Sequence, residues 1–137
     1  MGYKFLEHTA DVKFLAKGKT IEQVFSFCAD ALNETIRGKI NILGQEERTI
    51  DVNGNDLESL LYNFLEEFLF LLDSEDFLVK GAKNLEIDVE KFKLRCILIG
   101  DNAGNYKFTN DVKAITYNEM FIRKKKIEWI AQVVLDV

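Results

Sequence analysis

The chain has 137 residues, 47% of them hydrophobic and 11 of them Phe, enough apolar material for one compact core and hence one domain over 1–137. Lys and Arg total 18 against 23 Asp and Glu, a formal charge of -5, so the overall field repels a polyanion and argues against general nucleic-acid binding. The apolar runs are short, far from the roughly 20 residues that cross a bilayer, so no membrane span is expected.

The N-terminus, MGYKFLEHTAD, has no basic region followed by a long apolar stretch and does not read as a secretory signal. Gly2 has Leu6 four residues on, where a myristoylation site has Ser or Thr. Cys28 and Cys96 each sit in an apolar periodic segment, the usual setting of a small buried hydrophobe, and fit reduced thiols of a cytoplasmic protein. Two distant cysteines and the lone His8 exclude a paired-Cys zinc site, so any bound metal needs oxygen ligands.

In chain order, Tyr3 to Leu6 and Val12 to Lys17 predict two short strands, with His8-Thr9-Ala10-Asp11 between them. Thr20 with Gln23 forms a capping-box pattern, and Ile21, Val24, Phe25, Cys28, Leu32 and Ile36 recur at helical spacing until Gly38. Arg48 to Asn53 alternates as a strand. Gly54 and Asn55 break it, and Asn55 with Glu58 is the expected cap of a second helix. That helix carries a wide stripe including Leu57, Leu61, Phe64, Leu65, Phe68 and Leu72, so it must be covered on more than one side. From Asp76 onward the period changes to two, with Leu85, Ile87 and Val89 in one strand and Leu94, Cys96 and Leu98 in the next. Gly100 to Asn110 is turn-rich, and Val112 to Arg123 and Ile127 to Val137 close the chain as long strands. The basic run Arg123-Lys124-Lys125-Lys126 falls between these last two and reads as a solvated hairpin turn, since phosphate binding needs a broader basic footprint. The pattern predicts an α+β fold, two helices packed on a mixed, largely antiparallel sheet of about seven or eight strands.

No nucleophile signature and no Gly-rich phosphate loop is present. His8, the only imidazole, reads as a hydrogen-bonding residue in the turn before Asp11. The end of the chain, Leu135-Asp136-Val137, is different, because a strand-like segment runs to the last residue. Asp136 and the α-carboxylate of Val137 then stand side by side, both ionised at neutral pH. If the last strand lies beside the first two, Asp11 becomes a third carboxylate. Their mutual repulsion, about 4 kcal/mol per close pair, calls for a cation. Calcium or magnesium prefers such an oxygen set. A plainer reading stands beside this one, in which Asp11 caps a turn and Asp136 is an exposed edge residue.

Four strings, in order and spacing, resemble the archease family: His8-Thr9-Ala10-Asp11, Asp56-Leu57-Glu58-Ser59-Leu60-Leu61-Tyr62, Val112-Lys113-Ala114-Ile115-Thr116-Tyr117, and Leu135-Asp136-Val137. The resemblance covers nearly the whole chain. It implies a small α+β protein that activates the tRNA-splicing RNA ligase, which needs manganese and GTP, joins a 2′,3′-cyclic phosphate or 3′-phosphate end to a 5′-hydroxyl, and passes through a guanylylated histidine. The family role it implies is help with guanylylation and multiple turnover rather than catalysis. It also implies a metal site of Asp11, Asp136 and the Val137 carboxylate holding calcium, magnesium or manganese, and a functional lysine at Lys113. Lys113 and His8 are the candidate partner or nucleotide contacts, Lys113 being suited to orient a carboxylate or meet a phosphate. This chain departs from many relatives in having Asn118 after the VKAITY string, and a Gly100-Asp101-Asn102-Ala103-Gly104-Asn105 turn before it, where relatives carry histidines. The competing readings are a chaperone or modulator of RNA-modifying enzymes such as tRNA methyltransferases, and a lone metal-dependent hydrolase, for which no second base stands near the carboxylates. Association with copies of itself stays open.

Overall fold

A computed structural model describes residues 1–7 and 11–137. In chain order the elements are β1 (Gly2–Leu6), β2 (Val12–Gly18), α1 (Ile21–Arg37), β3 (Glu46–Asn53), α2 (Leu57–Glu75), β4 (Phe77–Asp88), β5 (Lys93–Asn102), a single 3-10 turn (Ala103–Asn105), β6 (Ala114–Lys125) and β7 (Glu128–Asp136). Two helices and seven strands make an α+β fold, but the strands divide into two sheets, β1-β2-β7-β6 and β3-β5-β4. Every pairing is antiparallel, so a mixed sheet is not what forms. The helical crossovers explain the difference. α1 carries the chain from one sheet to the other, and α2 joins β3 to β4, which run the same way but are separated by β5.

α1 starts where Thr20 accepts from the Gln23 N–H at 3.1 Å, while the Gln23 side chain accepts from the Lys19 N–H at 2.8 Å. It stops at Gly38, whose φ of 70° suits glycine. The Arg37 guanidinium then donates to the carbonyls of Val79, Gly38, Ile40 and Lys80, fastening this end of α1 to β4. α2 is capped one residue later than the sequence pattern predicts. Asp56 accepts from the Ser59 N–H at 2.7 Å and the Ser59 hydroxyl accepts from the Asp56 N–H at 3.1 Å, a reciprocal box that Asn55 with Glu58 would not provide. At its other end Asp76 takes a left-handed conformation with φ of 52°, and the chain reverses directly into β4. This is why β4 begins at Phe77, well before the alternating Leu85 and Ile87, while Val89 falls in the turn after it.

Each helix touches both sheets, and the wide stripe of α2 is covered accordingly. Phe25 of α1 stacks on Phe64 of α2 with centroids 6.0 Å apart, and Phe68 meets Phe64 edge-on at 5.3 Å. Phe14, Ala16, Val133 and Leu135 close this core from the four-stranded sheet. Cys28 and Cys96 are free buried thiols; burial pushes Cys28 strongly upward and Cys96 up to about 12, so neither is reactive. The basic run divides: Arg123 to Lys125 are in β6, and the hairpin turns over Lys126 and Ile127, with Lys126 at φ 59°.

Gly100, which the sequence places in a turn, is a strand residue of β5. A Cβ there would overlap the Leu78 carbonyl oxygen and stand 2.8 Å from the Phe77 ring. Both are rigid parts of β4, so Gly100→Ala should lose about 2–3 kcal/mol. In a chain of this size that lowers the thermal midpoint by roughly 4–12 °C; calorimetry showing no loss would contradict the packing of β5 on β4.

Candidate functional site

β2 alternates Val12, Phe14 and Ala16 toward the core with Lys13, Leu15 and Lys17 away from it, and β7 matches that pattern with Leu135, Val133 and Ala131. Burying both stripes against the helices fixes the register, because a one-residue slip would drive Lys13 inward. The ladder ends with Val12 opposite Leu135, so Asp11 and Asp136 flank its end. On the other side of β7, Ala114 pairs with Asp136, and the Lys113 N–H donates to the Asp136 carbonyl at 2.7 Å. Three segments distant in sequence therefore converge on one tip. Asp11, Asp136 and Val137 are half-buried there and Lys113 is exposed. His8 lies outside the described residues.

Among the described residues no three His, Cys, Asp or Glu side chains come together as metal ligands. The tip supplies two aspartate side chains, with Val137 beside them. That oxygen-only donor set suits a hard divalent ion, which takes six or more oxygens and would complete its shell with water or with atoms of a partner.

Beside the tip, β6 carries a wide irregularity: Thr116 pairs with Val134 but Phe121 with Gln132, so the residues from Tyr117 to Met120 face Val133 alone. Glu119 adopts φ 54° within it and accepts from the Lys13 Nζ at 3.2 Å, across β7. An ion pair this open is worth about 0–1 kcal/mol; its effect is positional, laying the bulge over the sheet. Thr116 and Gln132 fasten the same region through the Val134 and Glu119 carbonyls, at 2.8 Å each. The bulge also brings the Tyr117 ring onto Tyr62 of α2, parallel within 8° and 4.3 Å between centroids. Tyr117 remains 54% exposed although stacked, which leaves an aromatic surface near the tip. Burial, then the charges of Asp56 and Glu66, raise the Tyr117 phenol above its ordinary range. Burial and then Glu66 raise that of Tyr62.

Sequence reasoning joined Asp11 to Asp136 only on the condition that the last strand lies beside the first two, took Lys113 from the family resemblance, and missed the tyrosine pair and the bulge. Tyr62 and Tyr117 close two of the four family-like strings, which was the available signal. Asn118 sits exposed in the bulge. Asp101 and Asn102, read as turn, belong to β5. The Asp101 carboxylate accepts from the Tyr106 hydroxyl at 2.7 Å, a bond that lowers its pKa and ties the following segment to the strand.

The Archease protein family (MTH1598/TM1083) matches residues 3–137. The Protein archease of Methanosarcina mazei is 35% identical over 98% of this chain and 95% of its own length. That of Pyrococcus furiosus is 40% identical over 98% of each. Among solved structures, Protein 1598 of Methanobacterium thermoautotrophicum superposes with a TM-score of 0.83 at 32% identity over 99% of both chains. The Thermotoga maritima archease, described as a possible chaperone, shares the fold at a TM-score of 0.67 and 18% identity, with 98% of this chain and 96% of that one covered.

Removing the Asp56 charge should lower the Tyr117 pKa while leaving Asn as a competent helix cap. An absorbance titration of phenolate in Asp56→Asn, with Tyr117→Phe identifying the band, should show that downward displacement. An unmoved titration would place Asp56 outside the reach of the tyrosine pair.

Proposed function

This chain belongs to the archease family, and from that premise we propose that it is an accessory protein activating the GTP-dependent tRNA-splicing RNA ligase. In this reading it promotes ligase guanylylation and multiple turnover, acting on an enzyme rather than as one. The observation that carries the reading is the convergence of β2, β6 and β7, with the Lys113 N–H on the Asp136 carbonyl at 2.7 Å and Val12 opposite Leu135. Asp11, Asp136 and the carboxylate of Val137 would hold the ion: manganese, magnesium or calcium. When bound, it supplies positive charge for phosphate oxygens. Lys113, held beside Asp136 by its own backbone, adds an ammonium with the same preference. The core-locked register of β2 and β7 keeps the two aspartates close despite their repulsion.

A second reading, a chaperone or modulator of RNA-modifying enzymes such as tRNA methyltransferases, draws on the description of the Thermotoga protein as a possible chaperone. The carboxylates separate the two, because general chaperoning does not need them.

The test is ligation with a catalytic amount of ligase, with and without this protein, across added manganese, magnesium and calcium. Asp11→Ala, Asp136→Ala and one residue added after Val137 should each reduce stimulation by roughly tenfold or more, the scale on which losing a metal-supporting group acts, with an unchanged thermal midpoint. Full stimulation by all three variants would remove the metal from the account. Suppression of a client methyltransferase's aggregation that survives Asp11→Ala and chelator would favour the second reading.

A further inference from the structure

The two sheets present very different outer faces. On the three-stranded sheet the outward charges compensate one another: Lys83 meets Glu47 at 2.7 Å, and Arg95 faces Asp51 at 3.9 Å. Such a face is content with water. The register of the four-stranded sheet places Lys4, Lys13, Lys17, Arg123 and Lys125 together on the side away from the helices. Away from the tip, only Glu119 and Glu128 among the described residues oppose them, and Glu119 is engaged with Lys13. Lys4, Lys17, Arg123 and Lys125 make no ion pair among the described residues. A chain carrying -5 overall has therefore gathered cations on one sheet face.

The centre of that face is apolar. Leu15, Ile130 and Phe121 lie on it half-buried, while Val134 on the same side is already covered within the chain. An apolar centre with a charged rim is the anatomy of a protein interface. Asp11 and Asp136 stand at one end of this same face, so whatever covers it reaches the tip.

We propose that the outer face of the four-stranded sheet is the docking surface for a partner protein whose own surface carries acidic side chains around a shallow apolar patch. This rests on the accessory reading above and identifies that surface with one on the ligase. The chemistry disfavours the other occupants. Single strands of nucleic acid bind on exposed aromatic platforms, whereas this centre is mostly aliphatic and its one ring, Phe121, is already covered by the Arg123 guanidinium at 4.3 Å. A membrane surface needs protruding apolar side chains, whereas Leu15, Phe121 and Ile130 are half-buried. A second copy laid face to face would oppose cation to cation, and laid against another face would build an open chain rather than a closed dimer.

Binding of the full chain to purified ligase, followed by biolayer interferometry at low and high salt, tests the docking. Rim charges act through a salt-dependent field, so Lys4→Glu with Arg123→Glu should weaken binding by roughly tenfold or more at low salt and flatten its salt dependence. Both side chains are exposed, and the thermal midpoint and manganese affinity should not change. Lys4→Gln with Arg123→Gln should fall between, and Asp136→Asn should still bind while failing to stimulate. If the wild-type chain binds and stimulates but the charge-reversed variant does so equally, the docking face is overturned and the ligase reading survives. If the wild-type chain neither binds nor stimulates, both fail. Binding of a short oligouridylate or of phosphatidylserine vesicles that the charge reversal abolishes, with ligase binding intact, would give the face to a nucleic acid or a lipid instead.

Discussion

The ladder between β2 and β7, running from Val12 opposite Leu135 to Gly18 opposite Trp129, joins the N-terminal hairpin to the C-terminal one. Closing a loop that spans most of the chain costs about 4 kcal/mol beyond a constant in backbone entropy. Burial of Phe14, Val133 and Leu135, each fully inaccessible, returns about 2 kcal/mol apiece, enough to outweigh that cost. The hydrophobic stripe therefore decides which residues end up at the tip, and the aspartates follow from it. Their mutual repulsion is a cost that a bound cation would offset.

From this constraint the two sides of the sheet acquire separate roles. The inner side is committed to α1 and α2. On the outer side the same alternation lines up Lys13, Leu15 and Lys17 with Ile130, Gln132 and Val134, and leaves Asp11 and Asp136 at the end of the row. The bulge of β6 interrupts the ladder of this sheet, and it takes Glu119 toward Lys13 and Tyr117 toward Tyr62. A straight β6 would leave both contacts unmade. The proposed accessory action would draw on this division, with the proposed ion at one end and the proposed docking face beside it.

Much of this was legible in the sequence because period and capping are local. The helical spacing of α1 and the Thr20 cap needed no tertiary information, nor did the alternation of β2. The α2 cap shifted because Asn55 and Asp56 are both good caps, and only the Ser59 hydroxyl, placed by the first helical turn, selects between them. The period-two pattern from Asp76 onward shows only in the second half of β4, because Phe77, Leu78 and Val79 are all buried, and a strand covered on both sides shows no alternation. The division into two sheets depends on which strands meet across the helices, information no single segment carries. Asp11 and Asp136 could be paired in advance only as a conditional, since their meeting depends on the β2–β7 ladder. Tyr62 and Tyr117 could not, because nothing in β6 announces where its bulge will fall.

The claim at the centre of this account is that one divalent ion is held where β2, β6 and β7 end together. Titrating manganese into the isotopically labelled protein and following paramagnetic broadening of its backbone amide resonances addresses that claim without any partner present. The account predicts that amides of Asp11, Val12, Lys113, Ala114, Asp136 and Val137 broaden first and together, at ion levels that leave the rest of the spectrum intact. Earliest broadening along the acidic surface of α2 around Glu66 and Glu67, or uniform loss of signal, would contradict it.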